Sequence, residues 1–361
     1  MHISFQTTLV FLFCNAHHPF PTRHPFLPER GAYASEGEYT NRGALKGMVY
    51  DAVPEDFRDL SLDHSPLGSL LDAVPSSEAE VAPHRLSQQR VDQYWRDGFI
   101  TNVPVLTDEQ CDILLEQLSE LTRPDQRHRG HGLFHEFHSN QSGDDNNVLL
   151  HALGHWRIQP GFHDLIFVPG ITVPTSQLIR SDTQASGVRF WHDQLFAKPP
   201  RHGGNVAWHQ DYSYWTRTRP MQHMTVHIAL DAQDEENGAI SYVPGSHRWH
   251  RNGMPLPITA DDFGDMDSIQ AVLTEEERAA WKPQVAELKR GHASFHHPLS
   301  VHGSYGNRSE RPRRAAVVNY FADGTLSATD ESLLAGIPAV KQGEVLSGRF
   351  FPLVYHPDWA V

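Results

Sequence analysis

The stretch Trp208-His209-Gln210-Asp211, taken together with His302 downstream, carries the residue types of mononuclear metal chemistry. His209 and Asp211 are two residues apart, so on an extended strand both side chains leave one face and converge on one point. Two such donors and a nitrogen from another strand make a 2-His-1-carboxylate facial triad, which leaves the opposite face of an iron(II) open. His296, His297 and His302 are all available as the third donor. A second pair of the same spacing, His356 and Asp358, is set aside: Pro357 between them is a poor strand residue, and no later histidine can serve it.

The elements that must position these donors are short. Six β-type runs punctuated by Pro and Gly predict strands over Val188–Phe196, Val206–Trp208, Met224–Leu230, Ile240–Val243, Ala293–Phe295 and Ala315–Phe321. Many short strands with turn signals imply a sandwich or barrel. Upstream, Ser87 starts a helix carrying Val91, Tyr94 and Trp95 and ending at Gly98, followed by a strand over Phe99–Leu106. Thr107 and Gln110 form a capping box, after which Cys111, Leu114, Leu115 and Leu118 recur at helical spacing, so Cys111 is expected as a core thiol. Thr274 and Glu277 predict an inserted helix reaching Trp281, and Asn147–Gln177 is helical in places. Gly130–Asp145 is expected as a loop with His131, His135 and His138 solvated, and residues 1–85 as a poorly ordered or loosely packed extension to a domain over 86–361.

Composition narrows the partners. A net charge of −14 opposes binding to nucleic acid, which runs on Lys and Arg, while 25 His raise the expectation of a metal site. Cys14 and Cys111 are the whole cysteine complement, which excludes a disulfide framework and a cysteine-rich zinc site and fits a reducing, cytoplasmic location. The apolar run Leu9–Phe13 is a weak signal-peptide candidate without a basic flank and is too short to span a bilayer. No nucleic-acid partner and no membrane span are therefore expected.

Several further motifs occur in a fixed order: His192-Asp193-Gln194-Leu195-Phe196 with Lys198-Pro199-Pro200, then the metal motif, Asn237-Gly238, Pro244-Gly245-Ser246-His247, and His297-Pro298-Leu299 leading to His302-Gly303-Ser304 and Asn307. In this order the chain resembles the phytanoyl-CoA dioxygenase family of Fe(II)- and 2-oxoglutarate-dependent oxygenases, from about Leu86 to about Tyr355. The resemblance implies a mainly β fold with flanking helices (α+β) around a double-stranded β-helix, a jelly-roll of the cupin-like kind. It maps the metal ligands onto His209, Asp211 and His302, and the arginine that takes the distal carboxylate of 2-oxoglutarate onto Arg313. Gln194 matches a position that approaches the co-substrate, and His227 stands where a relative carries Trp. Gly291-His292 departs from the usual Gly-Asp. The activity implied is hydroxylation of a lipid-like or specialised small metabolite, using O2 with ascorbate as reductant and giving succinate and CO2. Asp211 argues against halide transfer, which needs a small residue there.

Tyr212, Tyr214 and Trp215, directly after the metal motif, are expected to wall the substrate pocket, whereas Arg308, Arg311 and Arg314 are expected as ordinary surface. Two other functions fit the same residues: a jelly-roll metalloenzyme working by hydrolysis or isomerisation without 2-oxoglutarate, and a non-catalytic binding protein on an oxygenase fold.

Overall fold

All six predicted runs are strands in the computed structural model, which describes residues 53–123, 128–146, 148–180, 185–258 and 265–359. In chain order the strands are β1 (Phe99–Pro104), β2 (Glu136–His138), β3 (Leu150–Leu153), β4 (Val188–Lys198), β5 (Val206–His209), β6 (Thr218–Arg219), β7 (His223–Ala229), β8 (Ile240–Tyr242), β9 (Gln284–Val285), β10 (His292–His296), β11 (His302–Ser304), β12 (Arg313–Ala322), β13 (Leu326–Ser327) and β14 (Leu353–Tyr355). The helices are α1 (Glu78–Val81), α2 (Gln88–Asp97), α3 (Asp108–Leu121), α4 (Pro160–Leu165), α5 (Pro169–Leu178) and α6 (Glu275–Ala279). Leu9–Phe13, Cys14 and Met48 lie outside the described residues. Among the described residues no helix is long and apolar enough to cross a membrane.

Two antiparallel sheets face each other. The larger has the order β1-β10-β7-β12-β4-β3-β2, with β14 also on β4; the smaller has the order β5-β11-β8-β9. Strand alternation gives the large sheet two unlike faces. Leu195, Val226, Phe295 and Val318 point outward into the main core with Leu114, Trp156, Phe162 and Ile171 from the flanking helices and turns. The opposite face is polar and turns inward. Gln194 pairs with Val317 and Val317 with His227, and His192 pairs with Asn319 and Asn319 with Thr225. This sandwich of two antiparallel sheets is the jelly-roll core, and the mainly β class with flanking helices holds.

Local chemistry explains the element ends. Thr107 and Gln110 make both bonds of the capping box on α3, and Thr274 and Glu277 make both on α6, which stops at Ala279 rather than Trp281. Ser87 occupies the N-cap of α2 without a side-chain capping bond. Gly98 ends that helix in the left-handed conformation, φ 87°, and a Cβ there would strike His247 and Ser300. Cys111 is buried, as the helical spacing predicts, and burial pushes its thiol up to about 11.

The described part of the N-terminal extension is not loose. Asp164, fully buried at the C-terminal side of α4, accepts backbone N–H bonds from Leu67 (2.6 Å), Ser69 (2.6 Å) and Leu70 (2.9 Å). Asp59 is shared by Arg157 and Arg349, and Leu60 and Val81 are buried. These bonds join residues 94 to 98 positions apart, and 290 for Arg349, and leave no periodic trace, so a local reading of 53–85 as extension misses them. Charge-assisted hydrogen bonds of this kind stabilise by about 1 to 3 kcal/mol each. Asp164→Ala is therefore expected to lower the unfolding free energy by about 3 kcal/mol in urea melts. A loss below about 1 kcal/mol would mean that the strap is not held there.

Candidate metal centre and co-substrate pocket

His209 and His302 are directly paired residues on β5 and β11, so the sheet itself sets their rings side by side, with centroids 4.2 Å apart. Asp211 is not on the strand, as the period-two argument supposes, but opens a 3-10 turn, Asp211–Tyr214. Its carboxylate still converges because Gln210 between them keeps extended angles, φ −119° and ψ 127°. Gln210 is held from the other side: its amide donates to the carbonyls of Trp249 (2.9 Å) and Leu299 (2.7 Å) and accepts from the Leu256 N–H (2.7 Å).

The donors fit a divalent metal. Asp211 Oδ1 lies 3.4 Å from His209 Nε2 and 3.5 Å from His302 Nε2, and the three donor atoms lie within 4.8 Å of one another. Cis ligands on bonds of about 2.1 Å stand about 3 Å apart, so the two Asp211 spacings close with a contraction of a few tenths of an ångström, while the two imidazoles would draw together further. Each imidazole donates its Nδ1–H to the carbonyl two residues before it, Ala207 (2.8 Å) for His209 and Ser300 (3.0 Å) for His302. That bond fixes the tautomer and leaves Nε2 as the lone-pair donor. Burial would raise the Asp211 carboxyl, but the imidazoles around it, His302 first and with His296 hydrogen-bonded to it, hold it well below the usual carboxylate range. Burial, with His209 alongside, pushes His302 well below the usual imidazole value, so both ligands are in the form a metal needs.

His297 is placed elsewhere, in ring contact with Tyr94, Trp95 and His247. His296 turns its Nε2 to the other oxygen of Asp211, 2.9 Å away. Of the three candidates, His302 alone joins the group, and its order with the Gly98 turn follows: Ser300 Oγ donates to the Gly98 carbonyl (2.7 Å) while the Ser300 carbonyl orients His302.

Beyond the metal group the inward face of the large sheet is cationic. Arg313 is 2% exposed, its Nε has no partner, and it has no ion pair with any described carboxylate. Burial lowers its guanidinium to about 10. Arg313 pairs across the strands with Lys198, which is fully buried and donates to Ser304 Oγ (2.7 Å) and the Tyr305 carbonyl (2.7 Å). Burial, with Arg313 beside it, pushes the Lys198 amine well below its ordinary value. Lys198 thus ties β4 to the strand that carries His302, a role the motif Lys198-Pro199-Pro200 gives no hint of by itself.

The remaining predicted residues divide. Gln194 is half-buried on the same inward face, with its amide unbonded within the described residues. His227 is buried in register with Val317, but its Nε2 is taken by Gln233 Oε1 (3.0 Å). Tyr214 is 36% exposed and sits edge-on to His209. Tyr212 and Trp215 are instead packed with Leu333, Ile337 and Phe351, and the Tyr212 hydroxyl donates to the Thr218 carbonyl (2.7 Å). Of the three aromatics Tyr214 is the one left partly open, because the turn after Asp211 packs Tyr212 and Trp215 against the C-terminal loop. His135 and His138, expected as solvated, are 5% and 7% exposed, and His138 lies on β2 against Glu136. Arg311 and Arg314 are paired with Asp234 and Asp231, as ordinary surface residues would be.

A two-sheet jelly-roll with two imidazoles on the small sheet, one carboxylate on the turn just beyond it and a guanidinium inside without an ion pair among the described residues fits the mononuclear iron oxygenase class that works with a keto acid. The phytanoyl-CoA dioxygenase (PhyH) model matches residues 94–315, and the chain belongs to that family. The family is dependent on Fe(II) and 2-oxoglutarate. The chain is 31% identical over 142 residues to a probable alpha-ketoglutarate-dependent hypophosphite dioxygenase of Stutzerimonas stutzeri, covering 37% of this chain and 46% of that protein. It is 24% identical over 246 residues to the ectoine dioxygenase of Bordetella bronchiseptica, covering 65% and 75%. The chain thus spans less than half the length of the hypophosphite dioxygenase it matches. Among solved structures, the carbocyclase SnoK from nogalamycin biosynthesis superposes with a TM-score of 0.59 at 21% identity, over 78% of this chain and 99% of SnoK. The epimerase SnoN, in complex with Fe3+, alpha ketoglutarate and nogalamycin RO, gives 0.57 at 20% identity, over 74% and 98%. These two likenesses are of fold.

The crowd of buried imidazoles has a consequence for stability. Burial pushes His223 and His297 down to about 3 and His135 to about 4. These groups stay neutral in the native chain, whereas in the unfolded chain they bind protons below about 6.5. The unfolded state therefore binds more protons between pH 6.5 and 4, and stability falls as pH falls through that window. Asp193, raised by burial to about 7, gives the opposite slope but is one group against three. The urea midpoint of the metal-free chain is expected to be clearly lower at pH 5 than at pH 7, and an equal or higher midpoint at pH 5 would contradict these burials.

Proposed function

We propose that the chain is an Fe(II)- and 2-oxoglutarate-dependent dioxygenase that hydroxylates a small-molecule substrate, with succinate and CO2 as co-products. The observation that carries this reading is Arg313, a buried guanidinium without a carboxylate partner among the described residues. Burying an uncompensated cation costs several kcal/mol, and a dicarboxylate ligand supplies the missing charge. A hydrolase or isomerase on the same ligands has no use for that charge.

His209, Asp211 and His302 would hold the iron by one face through Nε2, Oδ1 and Nε2. Iron with bound 2-oxoglutarate would activate O2, which is the oxidant, with two electrons coming from the keto acid as it becomes succinate and CO2 and two from the substrate carbon. Arg313 takes the distal carboxylate of the keto acid through two parallel N–H bonds, a geometry a point charge does not reproduce. Gln194, on the same inward face with a free amide, lies in position to donate to the co-substrate. Lys198 leaves its protons on Ser304 and Tyr305 and so fixes the strand of the third ligand rather than competing for the anion. Tyr214, half-open beside His209, borders the side from which a substrate enters. The buried walls exclude water from the reacting carbon.

Succinate release in the presence of Fe(II), ascorbate and 2-oxoglutarate is the measurement. The wild-type chain is expected to release succinate, with or without an accepted substrate, and Asp211→Ala to release none. Arg313→Gln is expected to raise the half-saturating 2-oxoglutarate concentration by about 100-fold, in line with the removal of one partner of a buried charge pair. Wild-type succinate release that Asp211→Ala leaves intact, or a half-saturating concentration that Arg313→Gln leaves unchanged, would refute the proposal.

A further inference from the structure

The two oxygens of Asp211 have different surroundings. Oδ1 faces the Nε2 atoms of His209 and His302, at 3.4 and 3.5 Å. Oδ2 accepts from Thr225 Oγ1 at 2.6 Å and from His296 Nε2 at 2.9 Å. Thr225 and His296 are directly paired on β7 and β10, so the ladder of the large sheet brings both donors to one point opposite the small sheet. Both are buried.

The direction of these bonds is fixed. An ionised carboxylate only accepts, so Thr225 donates its hydroxyl proton and His296 carries its proton on Nε2. His296 Nδ1 then accepts from the Tyr242 hydroxyl at 2.9 Å, and the Tyr242 oxygen accepts from Ser294 Oγ at 2.8 Å. The His296 ring lies 4.5 Å from that of His302, yet the two imidazoles are divided between the two oxygens of one carboxylate. His296 is therefore directed away from the metal group although it lies in the same stretch of sequence.

We infer that Thr225 and His296 are positioning residues that hold Asp211 to one-oxygen coordination, an inference that rests on His209, Asp211 and His302 being metal ligands. With Oδ2 engaged twice, the carboxylate plane cannot swing round to chelate. A chelating Asp211 would occupy one more position on the metal, and that position is among those the keto acid and oxygen need. Threonine suits the task because its branched side chain has few rotamers, and Tyr242 and Ser294 keep the imidazole from turning.

The test uses Co(II) alone, titrated into the metal-free chain without air and followed by its visible spectrum and by the dissociation constant. Thr225→Val, which keeps the volume and deletes the donor, and His296→Phe are each expected to weaken Co(II) binding by about 10-fold and to change the spectrum. His296→Gln, whose amide can still donate, is expected to stay within about threefold of wild type. The metal-free Thr225→Val chain is expected to remain folded at the assay temperature, with a melting temperature lowered by the loss of one charge-assisted hydrogen bond. Should His296→Phe not fold, Thr225→Val decides alone. Wild-type affinity and spectrum in Thr225→Val overturn the inference, as does an equal loss in His296→Gln and His296→Phe. A wild-type chain that binds no Co(II), or an Asp211→Ala chain that binds it as well as wild type, overturns the metal assignment itself and this inference with it.

Discussion

One buried carboxylate joins the two sheets. Asp211 stands where β5 runs out, and an ionised group there is costly unless both its oxygens are met. The large sheet donates a hydroxyl and an imidazole N–H to one oxygen, and the small sheet sets the lone-pair nitrogens of two imidazoles beside the other, where a cation would complete the set. The facing of the sheets, the pairing of β5 with β11 and of β7 with β10, and the Gln210 anchor all serve to bring those four groups within reach. Buried polar networks of this sort specify one arrangement, because a partly satisfied version is costly.

The same constraint explains why the large sheet is polar on its inward face. In an ordinary sandwich the facing sides are apolar, but here the apolar side of β4, β7, β10 and β12 is given to the flanking helices. The interior is left for Arg313, Lys198, Asn319 and a group of neutral imidazoles. Lys198 satisfies itself on the strand it steadies, whereas Arg313 has no acid to meet. The one unanswered guanidinium charge makes an anion site.

The strands and ligands were legible in the sequence for definite reasons. Short runs bounded by Pro and Gly marked β5 but not the three-residue β11 that carries His302, and β12 differs from its expected bounds by two residues at one end and one at the other. The spacing of His209 and Asp211 worked even though Asp211 lies beyond its strand, because the intervening Gln210 is extended. What escaped depends on distant partners. Asp164 gathers residues 67–70 from across the fold, and His135 and His138 are buried by a short β2–β3 pairing within a Gly- and Ser-rich stretch. Thr225 and His227 did leave a signal: polar residues alternating with Met224, Val226 and Ile228 in a wholly buried strand mark a polar interior face. His296 could have been separated from His302 on the same ground, since it alternates with Ser294 along β10.

The central claim is that three side chains close on one ferrous ion while Arg313 holds a keto diacid. Crystals grown without air from the chain with Fe(II) and 2-oxoglutarate, measured at the iron absorption edge, address both halves at once. The expected map has one anomalous peak about 2.1 Å from His209 Nε2, Asp211 Oδ1 and His302 Nε2, with the distal carboxylate of 2-oxoglutarate against the Arg313 guanidinium. A peak bound by other residues, or a keto acid that leaves Arg313 unpaired, would contradict it.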